Sequence, residues 1–166
     1  MIIRPIEPDE YEELGALTVD SYTKLEGHRY DPVYEAELAD VRARAEAPAT
    51  IVLVAVDNDG ELLGGVTHAI DHTSPYAEAT PKGAAAFRML AVAPTAQGKG
   101  AGKALVRACI AKASDDGKTS LVLHTTPWMT TAHRLYEGLG FERTPERDWQ
   151  LAPEVTLLAY RLDLSD

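Results

Sequence analysis

The chain has 166 residues, 45% of them hydrophobic and 25% charged, with one cysteine and a net charge of −10. That much apolar material supports one core, so residues 1–166 are expected to form a single domain, and the composition excludes a disordered chain, a disulfide framework and a thiolate metal cluster. The acidic balance argues against nucleic acid as a partner. No apolar run approaches the roughly 18 residues of a membrane span, and the acidic start MIIRPIEPDE is unlike a signal peptide, so a cytoplasmic protein with no membrane partner is expected.

In chain order, residues 2–6 read as a short strand. Asp9, after Pro8, is placed to cap a helix carrying Tyr11, Leu14, Leu17, Thr18 and Tyr22 along one side. Asp31 followed by Pro32 signals a second helix, with Tyr34, Leu38, Val41 and Ala45 at helical spacing. Residues 51–56 and 61–70 flank the turn DNDG and form a hairpin, because Asp-Gly between two apolar runs favours the tight turn. Residues 84–92 make a further strand. Beyond a glycine-rich stretch, Leu105, Val106, Cys109, Ile110 and Ala113 form a helical stripe. The run LVL at 121–123 reads as a buried strand, Thr130 or Thr131 can cap a helix ending near Gly138 or Gly140, and FERTP and VTLLAYRLDL close the chain as strands. The order is β α α β β β α β α β β. A strand, a crossover helix and another strand over 84–124 require at least one parallel pair within a mixed sheet.

The glycine-rich stretch is VAPTAQGKGAGKAL, residues 92–105, at a strand-to-helix junction. Glycine takes away the Cβ that keeps a ligand off the backbone, and the first N–H groups of a helix lack partners of their own, so the place suits an anion. Lys99, Lys103 and Arg107, four residues apart, add positive charge along one side of the helix start. A Walker A loop needs four residues between its glycines and Ser or Thr after the lysine; here Gly98 and Gly102 are separated by three, and Ala104 follows Lys103. A Rossmann loop needs G-x-G-x-x-G with an acid further on; the spacing here is G-x-G-x-G, and the next strand ends in His124.

What remains is Q-x-x-G-x-G, Gln97 to Gly102, and this resembles the pyrophosphate loop of the GNAT acyl-CoA N-acyltransferase superfamily. A second block, AHRLYEGLGFER at 132–143, is similar to that family's later helix with its A-x-x-L-Y-x-x-x-G-F pattern, and the element order matches over nearly the whole chain. The resemblance implies an α/β fold with a mixed, mostly antiparallel sheet, a parallel pair around the coenzyme cleft and about four flanking helices. It implies acetyl-CoA as co-substrate, gripped by Gln97, Gly98, Lys99, Gly100, Ala101, Gly102 and Lys103, with the backbone of Leu90, Ala91 and Val92 pairing with the pantetheine arm. It also implies N-acetyl transfer to a primary amine by direct attack, with Tyr136 as the general acid. The partners on this reading are acetyl-CoA and the amine acceptor, with a homodimer left open. A departure is Met129, where the family often carries an Asn seven residues before the Tyr. Another is Arg88 on the strand where many relatives place a Glu. These departures keep open an alternative, an acyl-CoA binding or sensing domain without catalysis.

The base is less clear than the acid. His124, at the carboxyl end of the strand after the loop helix, faces the cleft in such a sheet and has the right unperturbed basicity. His68, Asp71 and His72 at the end of the hairpin are further candidates acting through water, and His133 is expected to be exposed. These groups lie scattered without ligand spacing, so no metal is expected. Cys109 sits mid-stripe with no His at a useful spacing, which favours a buried apolar thiol over an acyl carrier. Trp128 and Trp149 read as packing residues, although Trp128 borders the expected acceptor cleft, which Tyr22 and Tyr30 are candidates to line. Residues 1–82 hold 6 Lys/Arg against 17 Asp/Glu, a net of −11, while residues 83–166 net +1. With Glu12, Glu13, Asp20, Glu26 and Asp31 around the expected entrance, that split points to a small cationic acceptor.

Overall fold

The computed structural model describes every residue except Glu26, His28, Arg29, Tyr30, Glu78, Ser165 and Asp166. The expectations for Glu26 and Tyr30 therefore lie outside the described residues. A central sheet runs in the order β1-β2-β3-β4-β5-β8-β6, built from β1 (Ile2–Pro5), β2 (Thr50–Val56), β3 (Leu62–Ala69), β4 (Ala84–Val92), β5 (Ser120–Thr125), β6 (Glu142–Arg143) and β8 (Val155–Asp163). Strand β7 (Trp149–Ala152) pairs with β8 as a separate hairpin. Every pairing is antiparallel except β4 with β5, the pair required by the crossover helix.

Among the described residues five helices flank the sheet, one more than the sequence suggests: α1 (Tyr11–Thr23), α2 (Pro32–Ala39), α3 (Val41–Ala45), α4 (Ala101–Asp115) and α5 (Thr130–Gly138). The extra helix comes from a break at Asp40, whose backbone leaves the helical region (φ −86°, ψ 71°) and whose carboxylate accepts from Ala43 N to start α3. Asp9 does not cap α1. Residues 8–10 form a single 3-10 turn, and Glu10 takes the cap position, accepting from Glu7 N at 3.0 Å and holding Arg4 through two 2.8 Å contacts. Asp31 does cap α2, accepting from Val33 N and Tyr34 N. Thr130 and Thr131 both lie inside α5, whose N-cap is Met129 with no side-chain bond.

The two larger of the three buried clusters among the described residues lie on the two faces. On one, Leu105, Val106, Cys109 and Ala113 of α4, with Tyr136 of α5, pack on Ala55, Val66, Ala85, Phe87, Leu121 and Leu123. On the other, Leu14 of α1 and Val41 of α3 pack on Val52, Val54, Val56 and Leu62. A strand sandwiched between helical layers must be apolar on both faces, and every residue of β3 is buried.

At the carboxyl end of the parallel pair the sheet opens. The β4–β5 register covers only Ala84–Ala86 against Ser120–Val122, although β4 runs on to Val92 and β5 to Thr125. On its other side β4 carries a bulge against β3, since Arg88 pairs with Thr67 and Ala91 with Gly65. Met89 sits in that bulge at φ 57°, a left-handed conformation uncommon for a residue with a side chain. The bend turns β4 away from β5 and leaves its β5-facing edge without a ladder partner beyond Ala86 among the described residues.

Candidate active site

The glycine loop lies at the open end of the pair. Gly98 and Gly100 adopt φ 83° and 86°, where an L side chain is strained, and a Cβ at either position would meet nothing within 4 Å. Glycine is thus required by the backbone there, and the space in front of it is open. Gly100 is the N-cap of α4, and the first intrahelical bond is Ala104 N to Gly100 O at 3.0 Å. The N–H groups of Ala101, Gly102 and Lys103 precede that bond, so they are left for a ligand at the positive end of the helix dipole. Lys99 is an exception to the expectation of consecutive free donors, because its N–H closes a turn onto Ala96 O at 3.2 Å. Gln97, Lys99, Lys103 and Arg107 are exposed around the loop. Gly102 looks inward, its Cβ direction ending 3.5 Å from Val92 Cγ2 and 3.6 Å from Leu135 Cδ2.

Next to the opening lies a cavity of about 760 Å³, lined from α1, α2, β4, β5, the β5–α5 connection and the β7–β8 hairpin. Tyr22, Tyr34, Tyr76, Trp128 and Trp149 supply aromatic walls, and Arg88, His124 and Met129 also line it. Burial raises the phenol pKa values of Tyr22 and Tyr34 above the ordinary range, so both stay protonated and able to donate. Met129 occupies the position of the family Asn and accepts from Thr125 Oγ1 through its sulfur at 3.3 Å.

His124, half-buried at the end of β5, places Nε2 3.0 Å from the carbonyl oxygen of Arg147. A carbonyl only accepts, so Nε2 carries the proton and the neutral ring keeps its lone pair on Nδ1. The carboxylate of Asp148, held by Arg143 at 2.8 Å, interacts electrostatically with the same imidazole. Tyr136 is buried among Phe87, Phe141 and Tyr160, with ring centroids 5.7, 5.9 and 6.0 Å away. Burial, aided by Cys109 and Tyr160, pushes its pKa above the ordinary phenol value. The phenol therefore holds its proton firmly and is a weaker acid than the free side chain used for the sequence expectation.

Tyr136 is not among the residues lining the cavity, and the remaining candidates also lie away from it. His68 is fully buried in β3, with both ring nitrogens lacking partners among the described residues, and burial lowers its pKa to about 4. Asp71 accepts from the backbone and hydroxyl of Thr73 to shape a turn, and His72 is exposed. His133 is not exposed as expected: half-buried, it binds the Thr126 carbonyl oxygen through Nε2 at 2.9 Å and so ties α5 to the end of β5. Cys109 is fully buried, and burial raises its thiol pKa, which removes the thiolate an acyl carrier needs. Of the acids expected around the entrance, Asp31 lines the cavity; Glu12, Glu13 and Asp20 are not among its lining residues. The sequence reading missed Arg88, Tyr34 and Tyr76 as cavity residues, and it missed β7, which brings Trp149 and Leu151 to the same cavity.

The model of the acetyltransferase (GNAT) family matches residues 11–141. A mycothiol acetyltransferase from Renibacterium salmoninarum is 35% identical over 112 residues, which cover 66% of this chain and 32% of that protein. The chain thus spans about a third of the length of that relative. Among solved structures, a GCN5-related N-acetyltransferase from Kribbella flavida aligns with TM-score 0.73 and 26% identity over 98% of this chain and 97% of its own. A Salmonella typhimurium protein whose structure holds its cofactor acetyl-CoA aligns with TM-score 0.66 and 20% identity, covering 100% of this chain and 95% of that one.

Proposed function

The chain belongs to the acetyltransferase (GNAT) family, and from that premise we propose that it moves the acetyl group of acetyl-CoA to a primary amine of a small molecule by direct attack within a ternary complex. The observation that carries the reading is the divergence of β4 from β5 beyond Ala86, at the end where β4 leads on to the glycine loop and where residues 86–89 and 122–125 line the cavity. The donor set fits the coenzyme. The N–H groups of Ala101, Gly102 and Lys103, with Gly98 and Gly100 leaving open space and Lys99 and Lys103 beside them, suit a diphosphate, with Gln97 at the loop's entry. The unpaired edge of Leu90, Ala91 and Val92 offers a ladder to the amides of a pantetheine arm.

Acetyl-CoA supplies an activated thioester carbonyl, and the residues divide the remaining tasks. His124 Nδ1 accepts the proton that the attacking amine must lose, directly or through one water. An N–H on the free edge of β4 stabilises charge developing on the carbonyl oxygen. Tyr136 gives its proton to the departing sulfur as the C–S bond breaks and the C–N bond forms, and the phenolate regains a proton through water while His124 gives up the one it took from nitrogen, so the products are the amide and the free thiol. The burial of Cys109 supports direct attack over a covalent acyl-enzyme.

The experiment is release of free thiol from acetyl-CoA with a panel of primary amines, beside a thermal-shift titration with acetyl-CoA. Thiol release that depends on an amine is the expected result. A melting shift with acetyl-CoA, without thiol release for any amine, would favour the alternative of a silent coenzyme-binding domain.

A further inference from the structure

We infer that the acceptor is an amine carrying a carboxylate on an apolar or aromatic body, the chemistry of an apolar amino acid or its derivative, and that Arg88 is the group that holds the carboxylate. This rests on the acyl-transfer reading above and departs from the cationic acceptor that the charge split suggests. The acids behind that suggestion are not the ones that decide the cavity. Asp31 uses its carboxylate to cap α2, Glu35 also lines the cavity but has an interaction of its own, and Glu12, Glu13 and Asp20 are not lining residues.

Arg88 rises from β4 beside the bulge and lines the cavity with 27% of its side chain exposed. Its ion pair with Glu37 is loose, 3.7 Å and beyond hydrogen-bond range, and it lies 5.9 Å from the Tyr76 ring centre and interacts with the Tyr34 phenol. A guanidinium has five N–H donors in a fork that matches a carboxylate, so these contacts leave donors for a ligand. Behind it sits a second cation. Arg44 is 1% exposed, and its guanidinium is held by the backbone oxygens of Glu37 at 2.6 Å and Asp40 at 3.5 Å, with Nε unpartnered among the described residues. Its charge acts on Tyr22, Tyr34 and Tyr76. The tyrosine cluster therefore faces two cations, Arg88 and Arg44, against the carboxylates of Glu37 and Asp40, with Asp31 and Glu35 elsewhere on the cavity lining. Among the described residues no carboxylate lies within ion-pair distance of Arg44, although Glu37 acts on it from further off, and a buried positive charge so placed favours an incoming anion.

The lining supplies the rest of the specificity. Among the described residues five large hydrophobic side chains are exposed, and three of them, Val33, Trp149 and Leu151, line this one cavity. Exposed apolar surface gathered around a pocket with aromatic walls is suited to an apolar ligand body. Thr80 and Thr126 also line it, and their hydroxyl oxygens are buried without a partner among the described residues.

The test compares kcat/KM for phenylalanine, phenethylamine and spermidine, in the unaltered protein and in Arg88→Gln and Arg88→Lys, with acetyl-CoA thermal shift as the fold and coenzyme control. Phenylalanine is expected to exceed both other amines by about tenfold or more, through KM, as one charge-assisted hydrogen bond to its carboxylate would give. Arg88→Gln should raise KM for phenylalanine by about 10- to 100-fold, with a much smaller penalty for phenethylamine, and Arg88→Lys should recover part of the loss. Amine turnover without a carboxylate advantage, or an equal loss for both amines in Arg88→Gln, overturns the inference alone. Absence of turnover with every amine, while acetyl-CoA still shifts the melting temperature, overturns the acyl-transfer reading and the inference with it.

Discussion

The glycine loop, proposed to hold the coenzyme, and the cavity, proposed to take the acceptor, both lie at the opening between β4 and β5, yet they are built in opposite ways. The loop is seven consecutive residues, 97–103, whose working groups are backbone N–H donors exposed by glycine and by a helix start. The cavity is assembled from α1, α2, β4, β5, the β5–α5 connection and the β7–β8 hairpin, and its working groups are side chains. A backbone site tolerates any side chains that keep the loop's shape, so its chemistry is written in spacing. A side-chain site depends on which residues the fold brings together, and spacing says little about it.

The largest effect is expected from Tyr136→Phe, whose ring lies behind the cavity wall at Phe87. Removing the phenol oxygen should lower kcat by about 10² to 10⁴ while the acetyl-CoA melting shift stays within error, because the ring packing against Phe87 and Phe141 is kept. An unaltered kcat in single-turnover measurements would make Tyr136 a packing residue and leave the two regions without a shared catalytic group.

Next in size is Gly102→Glu, which separates the regions. Gly102 lies in the first turn of α4, where an acid is compatible with the helix and its Cβ has ordinary contacts at 3.5 and 3.6 Å, so the fold should persist. The side chain would leave Cα toward Val92 and Leu135, so the carboxylate would stand behind the loop, beside the proposed pantetheine edge of β4, and should weaken acetyl-CoA binding by roughly 100-fold. Trp128→Ala in the cavity should leave the coenzyme shift intact. A Trp128 variant that loses the shift, or a Gly102 variant that keeps it, would dissolve the distinction between the regions.

A smaller effect is expected from His124→Gln, whose amide can keep the bond to the Arg147 carbonyl oxygen while losing the lone pair at Nδ1. kcat/KM should fall by about tenfold at neutral pH, with the deficit shrinking as pH rises and the amine loses its proton unaided. A deficit constant over the pH range would reduce His124 to a structural tie between β5 and the 145–147 turn.

These contrasts follow what the sequence made legible. The hairpin at 51–70, the strand at 84–92, the loop helix and the parallel crossover are readable because each is set by local periodicity and by Gly and Asp at fixed offsets. The break at Asp40 is not, since Leu38 and Val41 fit one continuous helix as well as two. Strand β7 also escapes, because WQLA is four residues long and joins no core, being paired only with β8. In the cavity, Arg88 appears in the sequence only as an absent Glu, and Tyr34 and Tyr76 lie 42 positions apart with no shared pattern. The charge split is real as a count and reaches the cavity only in part: Asp31, Glu35 and Glu37 line it together with Arg88, while Glu12 and Glu13 sit exposed on the first turn of α1, away from it.

Beneath the loop helix lies a group that belongs to neither ligand region. His68 is fully buried on β3, beside Phe87 in the β3–β4 register, and the groups near the end of α4 that act on it are Asp116 and Lys112. Desolvation is the dominant cause of its pKa of about 4 in the folded protein, against an ordinary value of 6.5. The unfolded chain therefore binds a proton at higher pH than the folded one. Stability is complete above about pH 6.5, falls as pH drops from there toward 4, and levels off for this group below that; the whole window amounts to on the order of 3 kcal/mol. The depressed carboxyl groups of Glu10 and Asp148 lose their contribution only in the ordinary carboxylate range, at the acid end of this window. Between pH 5 and 6.5 the chemical-denaturation midpoint should consequently follow His68, and His68→Leu should flatten it while leaving the acetyl-CoA shift at pH 7.5 unchanged. If the Leu variant keeps the same slope over that interval, the acid sensitivity belongs to another group, and the core under α4 is not what distinguishes the coenzyme half from the cavity on acidification.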